Sequence, residues 1–166
     1  MKQESLFEVL TGIDPGIPEL EKALVLSKTG KIEFLFKGHA VEYYLIEGEK
    51  RVVSLLFEPY DFLIPSHPTL SEIVTLKDAV LGSMDLPKVE KLRERLPTVQ
   101  LVYNSIESSY RRKVKDRINM AKHIPAARRL QNLKAMQPWA FELLSMKDIA
   151  AYLRVPLSML KEHRRG

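Results

Sequence analysis

The 166-residue sequence has no cysteine, which excludes disulfide scaffolds, thiol nucleophiles, cysteine-ligated zinc and protein-ligated iron–sulfur clusters. Glycine is scarce too: there are 7, none in a GxGxxG or Walker pattern, so no glycine-rich loop is present to cradle a phosphate. The four histidines, His39, His67, His123 and His163, stand far apart without metal-ligand spacing. Ser66-His67 and the pair Glu47 and Glu49 fall at expected turns, where polar side chains are ordinarily solvated. No catalytic or metal constellation emerges, and an enzyme is not expected. No apolar run reaches the roughly 18 to 20 residues of a membrane span, and residues 1–10 lack the basic-then-apolar order of a signal peptide. A soluble, cytoplasmic protein without a membrane partner is expected.

What is present is 45% hydrophobic and 28% charged residues, enough for one or two small domains with a real core. The net charge of +5 is unevenly spread. Residues 1–86 hold 8 Lys and Arg against 14 Asp and Glu, a charge of −6, and residues 87–166 hold 18 against 7, a charge of +11. An acidic half joined to a strongly basic half suits a protein that meets a polyanion through one half only.

The spacing predicts a helix over 17–28, with Pro18 near its start and Gly30 as a stop. The period then changes. Runs 32–36, 41–46, 51–57, 62–64, 72–76 and 79–81 are rich in β-branched and aromatic residues. They are punctuated by Lys37-Gly38, Glu47-Gly48-Glu49, Glu58-Pro59-Tyr60-Asp61, the prolines around His67, and Lys77-Asp78, the pattern of a small antiparallel β-roll or barrel. From residue 86 strand signals vanish. Pro87 opens a short helix to residue 96, and Pro97 opens a longer one to His123, where Ile124-Pro125 breaks it.

At about 1.5 Å per residue the longer helix spans on the order of 40 Å. Leu92, Leu96, Val99, Tyr103, Ile106 and Tyr110 follow steps of 4, 3, 4, 3 and 4, a heptad-like stripe. Two readings stand: the helix packs this stripe on its own β-roll, or it forms a two-helix seam between protomers. Beyond the stripe come Arg111, Arg112, Lys113, Lys115, Arg117 and Lys122, opposed only by Asp116, as a solvated face or a polyanion contact. A further helix covers 126–136, and Trp139, Phe141, Leu143 and Leu144 supply apolar mass for a small helical core.

The sharpest local signal is residues 146–165, MKDIAAYLRVPLSMLKEHRR. Two short helices meeting at a tight turn need a small residue at their crossing, apolar residues inward and polar residues outward. Ala150 is the small residue, Ile149, Leu153, Val155 and Leu160 are the inward set, and Arg154-Val155-Pro156 is the turn; these offsets match a helix-turn-helix. Two residues depart from that pattern: Arg154 stands where glycine is usual, and His163 where an apolar residue is usual. On a second helix over 157–165, Ser158, Lys161, Glu162 and Arg165 share one outward face suited to a major groove. Lys161 and Arg165 can donate to guanine edges or phosphates, Ser158 can serve either, and Glu162 can accept from cytosine. Lys147, Arg154 and Arg164 read better as phosphate contacts.

These residues carry a resemblance. From 34 to 165 the chain resembles the Crp/Fnr superfamily of bacterial transcription regulators, in the short, wingless form typical of Bacteroidetes. FLFKGHAVEYYLIEGEKRVVSLLFEPYDF resembles the family's β-roll hairpins, and AARRLQNLKAMQPWAFELLSMKDIAAYLRVPLSMLKEHRR its helix before the reader followed by the helix-turn-helix. The resemblance implies an α+β fold: an abbreviated cyclic-nucleotide-binding-like β-roll over 1–96, a dimerisation helix over 97–123 and a helix-turn-helix domain over 124–166. It also implies a homodimer, with Val99, Tyr103, Ile106 and Tyr110 at the seam, double-stranded DNA as partner, and RNA polymerase as a further one.

Departures limit what carries over. Members of the family that bind cyclic AMP hold its phosphate with glycine, glutamate, small residues and an arginine, whereas LIPSHPTLSEIVTLKDAVL, residues 63–81, has neither arginine nor glycine. Loss of cyclic-AMP binding is expected and no cofactor is expected, the alternative being a regulator that still binds cyclic AMP or another small ligand in the β-roll. Ser158 and Glu162 stand where glutamate and arginine are common, so the target site should differ. Without a wing, phosphate contacts would come from 111–117 or from Arg128 and Arg129. The competing reading is a dimeric interaction protein that has lost its DNA target.

Overall fold

The computed structural model describes residues 30–46, 50–66 and 70–165, with backbone alone at 50 and 163–165. The helix expected over 17–28 lies outside the described residues. Strands β1 (Lys31–Lys37) and β5 (Val80–Asp85) pair antiparallel, and β2 (Ala40–Ile46) lies between β3 (Lys50–Phe57) and β4 (Ser71–Thr75) in a second antiparallel sheet. The run expected as a strand over 62–64 makes only an isolated bridge, Phe62 to Phe34. The Lys37-Gly38 turn requires its glycine, since Gly38 has φ of +81° and a Cβ there would lie 2.7 Å from Ala79 Cα.

Alternation along β2 sends successive side chains to two different cores. Ala40 and Glu42 point into the roll, whereas Val41 and Tyr43 pack on the C-terminal helices. The β2–β3 register steps from Glu42 opposite Leu55 to Tyr43 opposite Val53, leaving Ser54 as the extra residue of a bulge. Because both faces of this sheet are covered, β3 reads as the almost continuous apolar run VVSLLF rather than as a clean alternation.

Helices α1 (Leu86–Arg95) and α2 (Pro97–His123) follow, each with proline in its first turn, where the missing N–H has no helical partner to lose. On α2, Tyr103, Ile106, Tyr110 and Val114 are buried and join Ile32, Leu35, Leu55, Phe57 and Leu63 in the core of the roll. This corrects the partner seam expected at Val99, Tyr103, Ile106 and Tyr110. Tyr103, Ile106 and Tyr110 are 3%, 3% and 5% exposed within a single chain, and Val99 is half-buried, so this part of the stripe has little surface left for a second helix. A heptad step marks any helix that buries one stripe, and does not say against what.

Helices α3 (Ala126–Met136), α4 (Trp139–Leu143), α5 (Met146–Leu153) and α6 (Leu157–Arg165) complete the chain. Their apolar faces form a second core, with Leu130, Leu133, Ile149, Leu153, Val155 and Leu160 buried, and it includes Val41, Val53 and Leu56 from the sheet. The architecture is α+β, with a small roll capped on one side by α2 and on the other by the C-terminal helices.

Candidate nucleic-acid interface

The helix pair α5 and α6 is built as its sequence requires. Ser145 caps α5 by accepting the Asp148 N–H at 3.1 Å, and its hydroxyl donates to the Asp148 carboxylate at 2.6 Å. Ala150 lies buried at the crossing, and the Val155 N–H donates to its carbonyl at 3.0 Å. The expected inward set is buried, with Ile149, Leu153, Val155 and Leu160 at 2% exposure or less. Arg154 closes α5 in the left-handed conformation, φ 54° and ψ 50°, which a side chain rarely adopts. Arg129 supports that turn from α3: its Nη1 donates to the carbonyls of Leu153 and Arg154, two acceptors freed at the helix end. The sequence offers no signal for this contact, since Arg128 and Arg129 are indistinguishable there.

Ser158, Lys161 and Glu162 are exposed on α6, opposite buried Leu160. Lys147 is exposed at the start of α5. The backbone of Arg164 and Arg165 continues α6, and their side chains lie outside the described residues. Arg154 is only half-exposed; burial first, then the charges of Arg117 and Arg129, push its pKa down to about 10. It keeps partial exposure beside the face that carries Ser158 and Lys161.

The basic stretch 111–117 is largely engaged within the chain. Lys113 Nζ binds Asp61 Oδ2 at 2.8 Å and Leu56 O at 3.0 Å, Arg111 pairs with Glu107 at 2.9 Å, and Arg117 Nε donates to Ser54 O at 2.8 Å. Arg112 and Lys115 are exposed. Between the sheet and the helices, Trp139 Nε1 donates to Glu58 Oε1 at 3.1 Å while its ring stacks on His39, with centroids 4.1 Å apart.

The interior of the roll holds a second polar site that sequence reasoning missed. Glu42 is 0% exposed. Its carboxylate accepts from Ser54 Oγ at 2.6 Å, Ser66 N at 2.6 Å, Ser66 Oγ at 2.6 Å and Ser71 Oγ at 2.7 Å. Four donors offset the loss of water around a buried carboxylate. Tyr110 donates to Pro65 O beside it, and burial, followed by the charge of Glu42, holds the Tyr110 hydroxyl well above the ordinary tyrosine range. Among the described residues no helix is long and apolar enough to cross a membrane.

No family model and no curated protein matches the chain. Among solved structures, FixK2 from Bradyrhizobium japonicum is similar at 17% identity and a TM-score of 0.64, covering 82% of this chain and 73% of that one. The c-di-GMP responsive global regulator CLP of Xanthomonas campestris aligns at 11% identity and a TM-score of 0.59, covering 84% and 79%. A protein assigned to the Crp/Fnr family in Eubacterium rectale aligns at 14% identity and a TM-score of 0.58, covering 81% and 67%. The chain thus has the fold of the Crp/Fnr regulators.

Proposed function

We propose that this protein is a cytoplasmic DNA-binding transcription regulator of the Crp/Fnr type, a homodimer that reads duplex DNA through α5 and α6 as a helix-turn-helix. The observation that carries the reading is α6 itself. It is anchored by Leu160 and presents Ser158, Lys161 and Glu162 to solvent on one face, next to a turn stabilised from α3. A short helix held in this way can enter a major groove with its polar face toward the base edges. The division into roll (1–96), long helix (97–123) and reader (124–166) belongs to this reading. For the dimer seam the exposed apolar residues Leu92 on α1, Leu96 at the junction, and Leu101 and Val102 at the start of α2, 47% to 68% exposed, are better placed than buried Tyr103, Ile106 and Tyr110.

The roll is read as an effector domain without cyclic-AMP binding. Besides the lack of arginine and glycine in 63–81, the Glu42 carboxylate takes up the serine and backbone donors inside the roll, where a bound phosphate would meet its negative charge.

Selection of bound sequences from a random duplex pool, followed by titration of the enriched duplex at several salt concentrations, tests the reading. The wild type should enrich a two-fold symmetric site and bind it with a steep salt dependence. Lys161→Ala combined with Arg165→Ala should weaken binding at least tenfold. Unchanged binding by the double variant would remove α6 as the reader, and failure to enrich any duplex at low salt would favour the interaction-protein reading.

A further inference from the structure

Two guanidinium groups with buried, unpartnered N–H groups, Arg117 and Arg129, lie away from the outward face of α6, where α2, α3 and the turn between α5 and α6 meet. Arg117, on α2, donates Nε to Ser54 O and sets its guanidinium 4.6 Å from the centre of the Tyr152 ring. The residue as a whole keeps some exposure, yet its Nη1 is buried and has no hydrogen-bond partner. Arg129 reaches the same turn from α3, spends Nη1 on the carbonyls of Leu153 and Arg154, and also leaves a buried Nε without a partner. Arg154 is the turn residue itself. Among the described residues no carboxylate pairs with Arg117 or Arg129.

The three charges act on one another. Burial lowers the pKa of Arg117, Tyr152 opposes that shift and Arg129 adds to it; Arg154 is lowered by burial, then by Arg117 and Arg129. A guanidinium withdrawn from water without a counter-ion is unfavourable, and removing the charge by deprotonation is not open to arginine near neutral pH. What remains is an anion from solution. Planar guanidinium donors with free N–H groups suit the oxygens of a tetrahedral oxyanion, phosphate above all.

We propose that Arg117, Arg129 and Arg154 form an oxyanion site that takes a phosphate group carried by a small diffusible molecule. The small size follows from position. Arg117 Nη1 is buried beside Ser54 of β3 and the Tyr152 ring, too enclosed for a duplex backbone to enter, while half-exposed Arg154 gives a small ion its approach from solvent. Since Arg154 joins α5 to α6, an anion bridging it to Arg117 fixes α6 relative to α2. That consequence rests on the reader role of α6; the site itself does not.

Thermal unfolding of the full chain, without DNA, in inorganic phosphate or pyrophosphate against sodium chloride of equal ionic strength tests the site. A ligand that binds only the folded state raises Tm with its concentration, by about 4 °C at a tenfold excess over Kd for a chain of this size. The rise should saturate, vanish in Arg117→Met, which keeps the stem over Tyr152, and shrink in Arg154→Gln. It should persist in Arg112→Gln, an exposed arginine on the same helix. If Arg117→Met does not fold, Arg154→Gln and titration calorimetry with pyrophosphate decide. A rise matched by sodium chloride, or one of equal size in Arg117→Met or Arg154→Gln, overturns the proposal. So does the absence of any phosphate-specific rise in the wild type; if Arg117→Met then weakens duplex binding, these arginines belong to the DNA backbone instead.

Discussion

Glu42 shows how much of a site can depend on one side chain's surroundings. In the sequence it is one acid in AVEYYLI, and nothing in the pattern marks it as buried. In the fold it is closed off completely and gathers Ser54 from β3, Ser71 from β4 and Ser66 from a loop 24 residues away. The cluster ties three segments together, so Glu42→Ala should cost about 3 kcal/mol in denaturant unfolding, because several buried donors lose their acceptor together. Glu42→Gln, which keeps the shape and one acceptor oxygen, should cost less than half of that; equal costs would mean that packing, not hydrogen bonding, is what Glu42 supplies. The exposure of Ser158, Lys161 and Glu162 was legible because they lie at helical spacing opposite Leu160. Arg154 was legible only as an oddity in the turn, since the contact from Arg129 that supports it comes from 25 residues away.

Among the elements, α2 separates what spacing reveals from what it conceals. Its ends were readable to the residue, since prolines at 97 and 125 impose them. The identity of its partner was not. Ile106→Ala should destabilise the chain by about 3 kcal/mol through lost burial and a cavity in the core of the roll, without changing the association state. Leu101→Glu, on the exposed face, should leave monomer stability within about 0.5 kcal/mol and shift sedimentation toward the monomer. The opposite pattern would restore the Tyr103 and Ile106 stripe as the seam. Strand β5 gives a similar lesson: the apolar run suggested 79–81, yet the strand extends to Asp85 through Gly82 and Ser83, weak strand formers held by pairing with β1.

At the scale of the whole molecule, the roll and the C-terminal helices share a core. Val41, Val53 and Leu56 of the sheet are buried among Leu130, Ile149, Leu153 and Tyr152, and Trp139 closes the junction against Glu58 and His39. Such a shared core should unfold as one unit, so the fluorescence of Trp139, the single tryptophan, and the far-ultraviolet helix signal should lose structure with coincident midpoints. Separate midpoints would mean that the reader detaches before the roll melts. The sequence by itself determined the ends of α2, the inward face of the helix pair and the split of charge between the halves, because the first two follow from local stereochemistry and periodic burial and the third from composition alone. Only the tertiary structure decided that the α2 stripe faces its own roll, that Glu42 gathers the serines, and that Arg117, Arg129 and Arg154 converge. Those depend on contacts between residues distant in the chain, and neither spacing nor composition encodes which surfaces will meet.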